Sequence, residues 1–430
     1  MRKNELPSIF FDWANCLCSA PDVRSIPTFM ELPIGSTTTR TGFATDARMA
    51  IIPKRHWGSY CKRIRQGARS YIALARKLLA PVIRTFKLDR LSVVFDDTFV
   101  PRSSKKAPDV KYHRRHGSKP NRPRFVFGQC WPTMAVALGN GSAIPIVSRL
   151  VSTTGNTGKP LAAKVVVGAT RSILGEIETT VSVDSRLARK TLLLPVPDLR
   201  IDAIGRVGID TAPYDIPEPR KQPGRGRPRL YGEKYSKERV EALPAKCVKM
   251  FVYDKDRLVR YREPVAKARF PEGRVVRGVF RQFESENGKI SKPGSIPSTD
   301  IRLSAEEVPK RYAKRRAVEP MFDRLKNSWG LGTAWQRSGQ VPSRRARIVS
   351  LSCAIPRMST NPGEENVKAP MADTPWRADR PVTAGRARHG LRRIFRHFRV
   401  RSWRNPKSRK FEPPKSDETE IENRKRPKAS

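Results

Sequence analysis

The chain has 430 residues and a formal net charge of +47, with 87 Lys and Arg against 40 Asp and Glu. Such a surplus makes a polyanion the expected partner, nucleic acid first of all. No apolar run approaches membrane-spanning length, and six scattered cysteines without a Cys-x-x-Cys pair exclude a zinc-finger or disulfide framework.

The opening MRKNELPSIFFDW is interrupted by Glu5 and Asp12, which makes it a poor signal peptide and a cytoplasmic protein the expectation. Residues 1–88 read as a basic helical region, a candidate for DNA binding. Its clearest part, Arg55 to Phe86, carries apolar residues at helical spacing with Arg and Lys between them. The same pattern suits a packed helix with a solvated face equally well.

The character changes at LSVVFDDTFV (from Leu91), a short apolar run ending in two acids, Asp96 and Asp97, which reads as a buried strand with carboxylates at its C-terminal end. A basic stretch from Ser103 to Arg124 reads as a long surface loop. RFVFGQCW and TMAVAL read as further strands, and after the turn GNGS the segment AIPIVSRLV closes a hairpin. Helical composition over Lys159 to Gly175, the strand TTVSVDS ending on Asp184, a helix near Leu187 to Leu194 and a strand near Asp202 to Val207 follow. The order is that of an α/β domain, a mixed sheet flanked by helices, over residues 89–355.

From about residue 211 to 297 the chain reads as a β-rich insertion. It starts with an extended Pro/Gly/Arg loop and includes a hairpin, KCVKMFVYDKDRLVRYREPV. Within the loop, Arg225-Gly-Arg227-Pro resembles the cationic core of an AT-hook, able to enter a narrow A·T minor groove; a plain basic linker has the same composition. Ser304 and Glu307 of SAEE form a capping-box pattern that starts a helix. Residues 356–430 read as a basic, largely irregular tail, apart from an amphipathic helix near His389 to Trp403.

The chemistry concentrates in YAKRRAVEPMFDRLK (Tyr312 to Lys326). At about 100° per residue, Tyr312, Arg315, Glu319 and Lys326 share one side of a helix, and Val318, Met321, Phe322 and Leu325 share the neighbouring side. This places Glu319 between core and cleft, with Pro320 expected to kink the helix. Asp96 or Asp97, Asp184 and Glu319 thus occupy three separate elements. If neighbouring strands end together beneath the helix, these hard carboxylates suit Mg²⁺ or Mn²⁺ and the two-ion chemistry of phosphoryl transfer.

Tyr312, Arg315, Glu319 and Lys326 fit the spacing Tyr-x2-Arg-x3-Glu-x6-Lys, and with FDDT, FVFGQCW and VDS they make the chain resemble the DDE transposases of bacterial insertion sequences. The resemblance runs from about Thr28 to Ala354. It implies a ribonuclease-H-like catalytic domain with a β-strand insertion before the last catalytic helix. It also implies an endonuclease that cleaves transposon ends and joins them to target DNA, acting as a homodimer on DNA in the bacterial nucleoid. Carried over, Asp96, Asp184 and Glu319 would be catalytic, Asp97 an alternative metal ligand, and Tyr312, Arg315 and Lys326 contacts to the transposon end. The competing expectation is a catalytically inactive DNA-binding remnant or regulator of transposition.

Overall fold

The computed structural model describes residues 6–413 apart from 22–24, 54, 67–70, 115–122, 153–157, 175–176, 209–210, 212, 220–225, 254, 270–271, 286, 334–336, 362–379, 381 and 398. The chain opens with helices α1 (Ser8–Cys18), α2 (Ile26–Thr38), α3 (Ala44–Met49), α4 (Trp57–Gln66) and α5 (Tyr71–Phe86). The basic helical segment expected over Arg55 to Phe86 is α4 together with α5.

A run of strands and helices follows: β1 (Arg90–Pro101), β2 (Lys111–Arg114), β3 (Phe125–Ala137), β4 (Ala143–Ser148), α6 (Lys159–Leu174), β5 (Glu178–Val183), α7 (Lys190–Leu193) and β6 (Asp202–Gly205). RFVFGQCW and TMAVAL are one strand, β3. It continues through Pro132, which lies opposite Asp97 and accepts the Arg149 N–H on its carbonyl. β1 pairs antiparallel with β3, and β3 with β4. On its other side β1 pairs in parallel with β5, and β5 with β6. The spatial order β4-β3-β1-β5-β6 has β1 at its centre, and β1 runs past Asp96 and Asp97 to Pro101 instead of ending on them. β2 was not expected; it lies in the stretch read as a loop and pairs with the outer end of β3.

The expected β-rich insertion comprises β7 (Pro213–Tyr214), α8 (Lys237–Ala242), β8 (Lys246–Val252), β9 (Lys255–Arg262), β10 (Val265–Ala268), β11 (Val275–Glu284) and β12 (Gly294–Ser298). β12 joins β6 through Ser298 opposite Ile204 and a bridge between Val207 and Ser295. The described strands thereby form one twelve-stranded mixed sheet. The chain then returns as α9 (Glu307–Ala313), a 3₁₀ turn (Lys314–Ala317), α10 (Val318–Asn327), α11 (Val341–Met358) and α12 (Ala384–His397).

Alternation along β1 divides the core. Val93 and Phe95 face one side, packed with β5 Val181 and Val183, α5 Leu78 and Val82, and α6 Val166 and Val167. Val94 and Val100 face the other, against Met321, Phe322 and Leu325 of α10. Burying each such side chain contributes about 1.5–3 kcal/mol, enough to fix α10 against this face. Of the helices before β1, α1, α2 and α5 belong to the first of these cores, whereas Ala47 of α3 and Tyr60 and Ile64 of α4 pack with Leu32 of α2 and with Val341 and Ile348 of α11 in a small separate cluster. The helix expected in the C-terminal stretch is α12, which starts five residues earlier than His389 and ends at His397. It joins the first core together with the 3₁₀ turn that follows it, with the Phe395 and Trp403 rings 5.6 and 5.8 Å from Phe10. No helix among the described residues is long and apolar enough to cross a membrane.

Candidate active site

The pleat decides which acids meet. Asp96 and Asp97 are consecutive on β1, so their side chains leave opposite faces of the sheet. Asp96 shares the face of Val94 and α10. Asp97 shares the face of Phe95, where the Lys159 ammonium at the start of α6 lies 2.7 Å from its Oδ2 and the Cys130 thiol donates to the same oxygen at 3.3 Å. Burial pushes the Cys130 thiol up to about 12, and the Asp97 charge beside it acts in the same sense. For Lys159, burial alone would lower the pKa, but the Asp97 carboxylate outweighs it and holds the ammonium above its ordinary value.

The last registered pair of β1 and β5 is Phe95 opposite Val183, so Asp96 and Asp184 leave adjacent parallel strands at the same level. Val181 and Val183 point to the α6 side. Asp184, one residue on, therefore belongs to the face of Asp96. Its Oδ1 accepts the backbone N–H groups of Arg186 (3.1 Å) and Leu187 (3.0 Å), which fixes the turn leaving the strand.

The capping box forms as expected: Ser304 N–H donates to Glu307 Oε2 at 3.1 Å and Glu307 N–H to Ser304 Oγ at 3.2 Å. Arg311 then anchors α9 over the start of β5, donating to Glu178 Oε1 at 2.8 Å and Thr180 Oγ1 at 3.2 Å. Four residues further on, the Arg315 guanidinium reaches the acidic end of the sheet and donates to Asp96 Oδ2 at 2.6 Å, with only 19% and 13% of the two side chains exposed. Burial would lower the Arg315 pKa, but Asp96, Tyr312, Asp184 and Glu319 together hold it above its ordinary value. Burial pushes the Asp96 carboxyl up to about 6; Arg315 and the Asp97 N–H draw it back, and Asp184 and Asp97 push it further up.

The expected single helix from Tyr312 to Lys326 is broken by the 3₁₀ turn. Pro320 sits in the first turn of α10, where its missing N–H costs least. Glu319 lies four residues beyond Arg315, about 6–8 Å further along the axis at α or 3₁₀ rise. It is exposed. Among the described residues no three His, Cys, Asp or Glu side chains group closely enough to hold one ion. Asp96 and Asp184 thus share a face and a level, with Arg315 between them and the helix, while Glu319 stands outside that pair.

Other expected contacts are placed differently from the sequence reading. Tyr312 is 5% exposed and packs with Val308, Leu303 and Tyr261 in the core of the inserted strands, where burial pushes its hydroxyl up to about 12. Arg315 faces Asp96 instead of the open surface. Lys326 is half-buried, Arg227 is exposed, and Arg225 lies outside the described residues. Lys159 and Cys130 were not read as site residues, since nothing local in sequence links them to Asp97. The chain matches no protein-family model and no curated protein.

Asp96 and Asp184 offer two hard carboxylates at one level, the donor type that suits a divalent cation, while Glu319 stands outside the pair. The cation that Asp96 meets here is the Arg315 guanidinium.

Proposed function

We propose that the chain is a DNA strand transferase of the DDE transposase type, built on a ribonuclease-H-like domain. One observation carries this reading: Asp96 and Asp184 leave adjacent parallel strands at one level, and Arg315, in the 3₁₀ turn of the α9–α10 segment that bears the Tyr312-Arg315-Glu319-Lys326 spacing, reaches Asp96. The strand order β4-β3-β1-β5-β6 and the β-rich insertion before α9 support the same architecture. A net charge of +47 supports a DNA partner.

Asp96, Asp184 and Glu319 would hold Mg²⁺ or Mn²⁺, a pair of which supplies an activated water or 3′ hydroxyl and a stabilised leaving oxygen. Arg315, already paired with a carboxylate, has the forked donor geometry that also suits a DNA phosphate. Asp97, on the other face, ties β1 to the start of α6 through Lys159.

The test is strand cleavage and joining with Mg²⁺ on duplexes carrying the inverted repeats that flank the coding region. Nicked and joined products with the wild type, and none with Asp184→Ala, are expected. The Asp96–Arg315 ion pair and the separate position of Glu319 favour a second reading, a DNA-binding regulator without catalysis. DNA binding by the wild type with no cleavage under any divalent metal would establish that reading instead.

A further inference from the structure

The hairpin of β2 and β3 carries a feature the acidic site does not use. Along β3 the residues on the Asp96 face are Ala135, Thr133, Trp131, Gln129, Phe127 and Phe125, because Asp96 is registered with Thr133. On β2, Tyr112 pairs with Phe127 and Arg114 with Phe125, so these two side chains continue that face. The inner members of the row, Trp131 and Ala135, are core. The outer ones stand in solvent: Tyr112 is 70% exposed and Phe125 55%. The Tyr112 and Phe127 rings lie 5.1 Å apart at 53°, forming a small aromatic surface. Arg114 borders it on the same face and is exposed; Lys111 and Arg124, one residue from Tyr112 and Phe125, are exposed as well but lie toward the other face of the hairpin.

Large exposed rings are costly to keep in water, and the positive charge beside them selects what can cover them. An apolar protein partner has no need of that charge. A nucleic-acid strand satisfies both parts, with bases against the rings and phosphates against the cations. Paired bases keep their faces stacked inside the duplex, so rings that stand off a strand edge suit a base that has left its pair. Thr133 to Phe127 spans six residues, which puts this surface about 20 Å from Asp96 on the same side of the sheet. That is roughly six nucleotide steps of a strand at 3.4 Å each.

We propose that Tyr112, Phe125 and Phe127, with Arg114 beside them, form a stacking site for an unpaired base of the DNA strand that enters the acidic site. It rests on the reading of the chain as a DNA strand transferase and adds a second contact to it.

The test compares full-length wild type with Tyr112→Ala/Phe125→Ala. The probes are a duplex with a single-stranded extension, carrying 2-aminopurine in the unpaired part, and the blunt duplex of the same sequence. With wild type, quenching of the 2-aminopurine and tighter binding of the extended duplex are expected. The double variant should lose the quenching and bind the extended duplex about tenfold or more weakly, with blunt-duplex binding little changed. Because both side chains are exposed, the fold should persist, checked by an unchanged unfolding midpoint. Equal quenching by both proteins overturns the stacking site while leaving strand transfer intact. Binding of neither probe by wild type overturns the DNA reading as well. A shift of the variant from dimer to monomer would show that a second copy covers the rings, and would also overturn the proposal.

Discussion

The two faces of the sheet treat neighbouring carboxylates in opposite ways. Asp97 has a buried thiol and an ammonium as fixed partners beside a continuous hydrophobic core. Asp96, one residue away, sits beneath a helix start with a second carboxylate at its own level and the Arg315 guanidinium as its ion-pair partner. Proximity in sequence therefore says little about shared chemistry in a strand. The pleat gives one acid an ammonium and a thiol as neighbours and the other a guanidinium and a second carboxylate.

Substitutions should separate the faces. Loss of a catalytic metal removes several kcal/mol of transition-state charge stabilisation, so Asp184→Ala or Asp96→Asn is expected to lower strand cleavage by roughly a thousandfold or more. Product yield on gels checks this; comparable cleavage by Asp97→Asn and the failure of the other two would confirm the division of faces. Asp97→Asn should instead leave the Lys159 ammonium without its anion and cost about 1–3 kcal/mol, read by urea unfolding. If that variant is as stable as wild type and inactive, the roles are reversed.

Acid titration gives a smaller difference. The Asp96 carboxyl rises from an ordinary 3.8 to about 6 on folding. The folded chain therefore holds this proton through a window where the unfolded chain has released it, and stability falls as pH rises from about 4 to about 6. Asp96→Asn should lack that fall, which unfolding curves at a series of pH values would reveal as about 1–3 kcal/mol. Smallest of all, Arg315→Ala should strengthen Mn²⁺ binding severalfold in the absence of DNA, since it removes the competing cation from Asp96; calorimetric titration measures it.

Much of this arrangement is legible from residues alone, for identifiable reasons. Apolar runs followed by acids mark β1 and β5, although β1 continues beyond its acids to Pro101, and Ser304 with Glu307 marks the start of α9 because both halves of the capping box are local. The signature spacing locates Arg315 near the acids. What sequence does not carry is winding: the 3₁₀ turn before α10 changes where Tyr312 and Glu319 point, burying one and projecting the other outward. β2 is also missed, since four residues of charged and aromatic composition read as loop until β3 offers them a partner. Lys159 belongs with Asp97 only through the packing of α6.

The central claim is that Asp96 and Asp184, and not Asp97, bind the divalent ion. Mn²⁺ titration followed by electron paramagnetic resonance, on the full chain with a duplex bound, tests it directly. Wild type and Asp97→Asn should take up the ion, whereas Asp96→Asn and Asp184→Ala should not. Undiminished uptake by those last two variants, or its loss in Asp97→Asn alone, would contradict the account.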